Sequence, residues 1–180
     1  MTTNAVWKAR RDRFEQTVLP HLNAAYNLAR WLTGNEQDAE DVVQESYLRA
    51  LRSFDTFQSG RDSRGWLLKV VRNTCYTWLR ENRGKTVTQF QESGQEPQST
   101  YADPETELIE KANSDLVRHA IEALNIEYRE VLILRELEGL SYKEIAHILE
   151  VPLGTVMSRL SRGRKELQLR LFESTREAKT

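Results

Sequence analysis

The sequence predicts an all-α protein: two small helical domains joined by a flexible acidic linker, the C-terminal one containing a helix-turn-helix. Three observations carry that expectation. Four prolines and eight glycines in 180 residues leave long stretches free to be helix. Apolar residues recur at helical spacing through most of the chain. That periodicity lapses between Gly84 and Asn113, where TVTQFQESGQEPQSTYADPETE is rich in Gln, Ser, Thr, Glu and Pro. The expected division is therefore 1–84, a linker at 85–112, and 113–180.

Ala5 to Thr33 reads as helix, with Pro20 as a start or a kink and Gly34-Asn35 as the stop. Leu22, Ala25, Tyr26, Leu28, Ala29 and Leu32 form its apolar stripe, and Lys8, Arg10, Arg11 and Arg13 read as a solvated face. Glu36 to about Phe54 is a second helix, with Ala39, Val42, Val43, Tyr47, Ala50, Leu51 and Phe54 turned inward. Asp38, Asp41 and Glu45 fall within an arc of about 60° on its other side. Acids in a first turn suit the helix dipole, which accounts for Asp38 and Asp41 but not for Glu45, Gln44 and Leu48. An exposed patch mixing acid, amide and leucine has the chemistry of a protein-docking surface.

Asp55 to Gly65 carries turn chemistry, with Phe57 either a core plug or an exposed stacking plate. Asp62 to Arg83 then forms a helix with two unlike faces, Asp62 being placed to cap it. Leu67, Val70, Val71, Thr74, Cys75, Trp78 and Leu79 lie on one. Lys69, Arg72, Asn73, Tyr76, Arg80 and Arg83 crowd an arc of roughly 100° on the other, with Trp66 at its edge. Cations, an amide and flat rings on one stripe suit neutralised phosphates and stacked bases. A solvated basic helix is the plainer alternative for this segment taken alone.

Net charge is −1, but the charges are segregated. Glu36 to Phe57 holds six acids against Arg49 and Arg52. Arg61 to Lys85 holds seven cations against Asp62 and Glu81. Averaging hides two partners of opposite character. With 29% charged residues and a mean hydropathy of −0.64, no apolar run approaches the ~18 residues of a membrane span. The N-terminus lacks a signal peptide's apolar core, and a cytoplasmic location is expected. Cys75 is the only cysteine, so no internal disulfide forms, and its place on the apolar face makes it core. His21, His119 and His147 have no ligand spacing. No metal, no cofactor and no catalytic residue is expected.

In the C-terminal half, Leu116, Ile121, Leu124 and Ile126 mark one helix and its exit. Val131, Leu132, Leu134 and Leu137 mark the next, which stops at Gly139. Ser141 with Glu144 makes a capping box before Ile145, Ala146, Ile148 and Leu149. Val151 to Gly154 is a tight connection, and a helix follows from about Thr155. Val156 and Leu160 point in. Thr155, Ser158, Arg159, Ser161, Arg162, Arg164 and Lys165 point out. This is the pattern of a helix-turn-helix, whose second helix enters the major groove. An ordinary helical hairpin with a basic end is the alternative.

DAEDVVQESYLRA, WLLKVVRNTCYTWLR and REVLILRELEGLSYKEIAHILEVPLGTVMSRLSRGRKEL, in that order and separation, resemble the extracytoplasmic-function sigma factors of bacterial RNA polymerase. The resemblance covers about Phe14 to Leu171 apart from the linker. It implies that Asp38, Asp41, Gln44 and Glu45, with Leu48 beside them, bind core RNA polymerase. It implies that the loop from Phe54 to Arg64 and the helix bearing Lys69, Arg72 and Asn73 recognise and melt the minus-ten element. Phe57 would wall a pocket for a flipped base, and Trp66, Tyr76 and Arg80 extend the surface. Thr155, Ser158, Arg159 and Arg162, with Ser161 and Lys165 beside them, would read the minus-thirty-five duplex. The linker would thread toward the polymerase channel. Promoter DNA, duplex and single-stranded, is thus an expected partner. Family members are often held by an anti-sigma protein, which is an expectation for this chain too. Met157 stands where the family usually has Lys or Arg, and Asn125 where Pro is common. A stand-alone helix-turn-helix repressor or activator is the rival reading, but has no need of both the basic stripe and the acidic patch. A nuclease lacks the clustered carboxylates.

Overall fold

The computed structural model describes residues 2–57, 62–82 and 114–177. All regular structure among them is helical: α1 (Thr2–Val18), α2 (Leu22–Thr33), α3 (Glu36–Ser53), α4 (Ser63–Glu81), α5 (114–122), α6 (Ile126–Leu132), α7 (Tyr142–Leu149) and α8 (Leu153–Glu177). The expected linker, 85–112, and Arg83 lie outside the described residues.

Pro20 resolves as a break. Its ring removes an N–H, and the chain passes through a 3₁₀ turn, Leu19–His21, between α1 and α2. Gly34 then closes α2 with φ 90°, its N–H donating to the Arg30 carbonyl at 3.0 Å. Asn35 caps α3, its side chain accepting from Asp38 N–H at 2.8 Å. Asp62 departs from expectation: it occupies the cap position of α4, but its side chain makes no capping bond. Its carboxylate lies over Gly65, where a Cβ would collide with it. Nor are Arg10 and Arg13 merely solvated. Arg10 donates to Asp55 (3.0 Å) and the Leu51 carbonyl (2.8 Å), and Arg13 lies over the Phe54 ring at 5.0 Å. Both tie α1 to the end of α3.

The helix after Asn125 changes pitch. α6 runs into a π turn, Ile133–Leu137, in which Glu138 N–H donates five residues back to Ile133. The added residue per turn rotates the end of the helix: Leu137 is 54% exposed and Glu138 is turned inward. Gly139, φ 67°, ends the segment.

α4 packs against α2 and α3 on one side and α7 on the other, while α6 packs on α2. Leu68, absent from the expected apolar face, is accordingly as buried as Leu67 and Val71. The buried core is continuous, running from Phe14, Leu28, Val42 and Phe54 through Leu67 and Val71 to Ile133, Ile145, Ile148 and Leu160. The linker composition suggests domains that can sit far apart. In this structure the two halves are docked.

Candidate nucleic-acid interface

α4 brings its expected residues to one face, and the other half of the chain covers much of that face. Arg64 donates to the Glu138 carbonyl (2.9 Å) and carboxylate (2.5 Å). Lys69 pairs with Glu150 at 2.7 Å. Arg72 donates through Nε to Glu130 at 3.0 Å and lies over the Tyr76 ring at 4.2 Å. The Tyr76 hydroxyl donates to the same carboxylate at 2.9 Å. Asn73 and Arg80 remain exposed.

Glu130 is the centre of this arrangement. Its side chain is fully buried, and a buried carboxylate must be met by donors. Arg72 and Tyr76 supply them from α4, and Arg159 of α8 supplies another at 3.4 Å. Burial opposes the Arg72 charge, but the hydrogen bond and attraction of Glu130 outweigh it and hold the guanidinium above its usual range. Burial, reinforced by the Glu130 charge, also pushes the Tyr76 phenol up. The Glu150 carboxyl is held down by the bond from Lys69.

The aromatic residues are committed to one another. Phe57 is buried, stacked on Phe54 with centroids 5.9 Å apart and tilted against Trp66 at 5.0 Å. Of the two roles open to it, core plug is the one this conformation displays. Each such pair adds about 0.5–1.5 kcal/mol beyond area burial. Cys75 is buried as expected, and burial pushes its thiol up to about 12.

On α3, Asp41, Gln44 and Leu48 are exposed, and Leu48 stands 45% clear of the protein. Asp38 is partly buried and bonded to Asn35. Glu45 accepts from Arg49 at 2.8 Å, a bond that holds its carboxyl below the usual range.

The helix-turn-helix is built as its pattern demands. Ser141 Oγ accepts from Glu144 N–H at 3.3 Å, and the Glu144 carboxylate accepts from Ser141 N–H at 2.7 Å. The bond lowers the Glu144 carboxyl. Glu150, φ 55°, turns the chain, and Pro152 accepts from Thr155 N–H at 2.9 Å. α8 starts at Leu153, two residues before the expected position, because these carbonyl contacts extend its first turn. Val156 and Leu160 are buried. Gly163 lets α8 approach α6: a Cβ there would meet Tyr128 Cβ at 3.1 Å and Leu132 at 3.2 Å. Ser158, Ser161, Arg162, Lys165 and Met157 face outward, and Thr155 is partly buried. Arg159 is engaged by Glu127 at 3.1 Å as well as by Glu130.

Sequence reasoning missed Arg129, Glu130 and Glu138. For Glu130 there is a signal: it lies three and four residues before Ile133 and Leu134, an acid inside an apolar stripe. Arg129 donates to the Trp31 carbonyl at the end of α2 and to the Leu124 carbonyl, both at 3.0 Å.

A basic α4 between two helical layers and a capped helix-turn-helix behind it define an all-helical protein with two modules that carry the elements of DNA binding. The family comparisons agree with that class: residues 17–85 match Sigma-70 region 2, and residues 114–167 match Sigma-70, region 4. The chain is 30% identical over 173 residues to the ECF RNA polymerase sigma factor SigW of Bacillus subtilis, covering 92% of each. It is 33% identical over 172 residues to the ECF RNA polymerase sigma factor SigE of Mycolicibacterium smegmatis, covering 93% of this chain and 66% of that protein. The chain belongs to the ECF RNA polymerase sigma factors. Among solved structures, the sigma factor RpoE in complex with the anti-sigma factor NepR from Bartonella quintana superposes with a TM-score of 0.70 at 28% identity, covering 88% of this chain and 96% of that one. CnrH in complex with the cytosolic domain of CnrY gives 0.66 at 26%, covering 91% and 90%. Among the described residues no helix is long and apolar enough to cross a membrane.

Proposed function

We infer that this chain binds core RNA polymerase and directs promoter-specific initiation, as a specificity subunit with no catalytic step of its own. In this reading 1–84 is the module for core binding and the minus-ten element, 85–112 the linker and 113–180 the module for the minus-thirty-five duplex. The exposed face of α3 (Asp41, Gln44 and Leu48, with Asp38 and Glu45 at its edges) docks on core polymerase. The stripe of α4, Arg64 to Arg80, holds the melted minus-ten strand, and Phe57 and Trp66 part to take a flipped base. Thr155, Ser158, Arg159, Ser161, Arg162 and Lys165 meet the minus-thirty-five duplex. An anti-sigma protein would cover these faces, and the site of action is the cytoplasm.

The observation that carries this reading is the pairing of two different surfaces on adjacent helices. α3 shows acid, amide and leucine to solvent, and α4 carries its cations and Tyr76 on one side. Melting without fuel requires capture of unpaired bases, and stacking returns about 1–3 kcal/mol per base. Anchoring by the second module raises the local concentration of the first. Run-off transcription with core polymerase and a promoter library tests it. Promoter-dependent transcripts are expected with the parent chain and are lost when Asp41 and Glu45 are changed to Lys. A chain that never confers promoter-dependent initiation refutes the reading.

A further inference from the structure

In a helix-turn-helix the first turns of the second helix reach the base edges. In α8 those turns are residues 153–160, and their one cation, Arg159, is held by Glu127 at 3.1 Å and Glu130 at 3.4 Å. We propose that Met157 is a specificity-determining residue, its thioether chain reading the 5-methyl group of one thymine in the minus-thirty-five duplex. The proposal rests on the reading of α8 as the recognition helix and adds the chemistry by which one base pair is chosen.

A lone exposed methionine means little. Here the surroundings single it out. Val156, Leu160 and Gly163 are buried and fix the inward side of α8. Leu153, Gly154, Met157 and Ser158 are exposed in its first turns. Ser158 donates its hydroxyl to the Thr155 carbonyl at 3.0 Å, so that proton is already committed. Gly154 has no side chain, and nothing lies within 4 Å of the place a Cβ would take. Met157 follows one turn later and is 52% exposed, so it is the longest side chain left to reach outward, beside an open approach. On its other side it shares an open groove with Tyr142 and Leu160. An unbranched, flexible thioether adapts its shape to what it meets. Of the groups that base pairs display in the major groove, the thymine methyl is the apolar one. Guanine is read by paired donors from Arg or Lys, and adenine by the amide of Asn or Gln. Residues 153–160 contain no Asn or Gln, and their cation is engaged. The match that remains for the reaching side chain is the methyl.

The test uses holoenzyme reconstituted from core polymerase and the full chain, as parent and as Met157→Ala. A promoter selected by run-off transcription is synthesised with each thymine of the minus-thirty-five duplex replaced, one at a time, by deoxyuridine. The exchange removes the methyl and keeps every hydrogen bond of the pair. Relative affinities are read by competition against the unmodified promoter. Burying one methyl corresponds to about a four-fold change in affinity, so the parent is expected to lose about that much at one position. Met157→Ala is expected to bind the unmodified promoter about four-fold more weakly, with unchanged Tm, and to be indifferent to the exchange at that position. Three results overturn the proposal: a parent indifferent to every exchange, a Met157→Ala holoenzyme as sensitive as the parent at each position, or a selected promoter with no thymine in the minus-thirty-five duplex. Each leaves promoter-dependent initiation, and with it the reading of α8, standing. A holoenzyme that binds no promoter overturns that reading and the proposal together.

Discussion

Arg129→Met tests how the two halves are joined. Arg129 leaves α6 and donates to three carbonyls: Trp31 at the C-terminal end of α2, Glu122 at the end of α5 and Leu124 just beyond it. The last turn of a helix carries partial negative charge, so a cation is favoured at Trp31. Hydrogen bonds to a charged group contribute about 1.5–3 kcal/mol each, or roughly 4–9 kcal/mol for three. Against this stands the burial of the guanidinium, which pulls its pKa down despite Glu122 and costs several kcal/mol. Its Nε is buried without a partner, which adds to that cost. The net expected loss is about 2–4 kcal/mol, since methionine fills the space but leaves the carbonyls unmet. For a chain of this length that corresponds to a Tm lower by about 5–15 °C. Arg129→Lys should recover only part, because an ammonium cannot span three carbonyls in a planar fork. Urea and thermal denaturation of the full chain measure both variants. A loss below about 0.5 kcal/mol for Arg129→Met, the level of an ordinary surface change, refutes the reasoning.

Arg162, exposed and in no ion pair among the described residues, should when changed to Ala weaken binding to a promoter selected by run-off transcription by about 1–3 kcal/mol with no change in Tm. Arg159→Ala should lower Tm as well, because Glu130 loses a partner; equal Tm values for the two variants would contradict the geometry. Cys75, with its thiol near 12, should resist a thiol-disulfide reagent in the native chain. At pH 8 about one molecule in ten thousand would be thiolate, against about one in four for a free thiol. Labelling as fast as in urea would place it outside the core. His21 bonds to Ser63 at 2.9 Å, and burial and Arg64 lower its pKa despite Asp62. The unfolded chain therefore binds the proton more readily, so stability should fall as pH drops below about 6.5. His21→Gln should flatten that slope, and an unchanged slope would acquit His21.

Local chemistry was legible because local rules decide it. The Ser141–Glu144 capping box, the stop at Gly34 and the turn at Gly139 each depend on a few neighbouring residues, and the structure has all three. Periodicity placed Val156 and Leu160 inward and Ser158, Ser161 and Arg162 outward, since a single 3.6-residue period runs through that helix. It failed where a second surface competes. α4 is packed on two sides, so Leu68 is buried although it falls off the single stripe. The π turn breaks the period itself, which is why Leu137 looks like core by spacing and stands in solvent. Asp62 satisfies the preference of a cap position without making the bond, its carboxylate being drawn over Gly65. Glu130, Glu138 and Arg129 have partners at sequence separations of 58, 74 and 98 residues, beyond any local pattern.

The two charged faces of the N-terminal half are treated differently by this fold, one open to solvent and one paired with the C-terminal half. Asp41, Gln44 and Leu48 on α3 meet solvent, so a basic partner can dock there without moving anything. Arg64, Lys69, Arg72 and Tyr76 on α4 are already bonded to Glu138, Glu150 and Glu130, so on the proposed reading a nucleic acid reaches them only once those acids withdraw. A ligand shifts an equilibrium only by its differential affinity for the two states. Docking at α3 alone makes no such difference. A partner that also contacts the C-terminal half in the open arrangement does. On the proposed reading, a core polymerase that engages both halves would open the chain, and a core fragment carrying only the α3 contact would bind it closed.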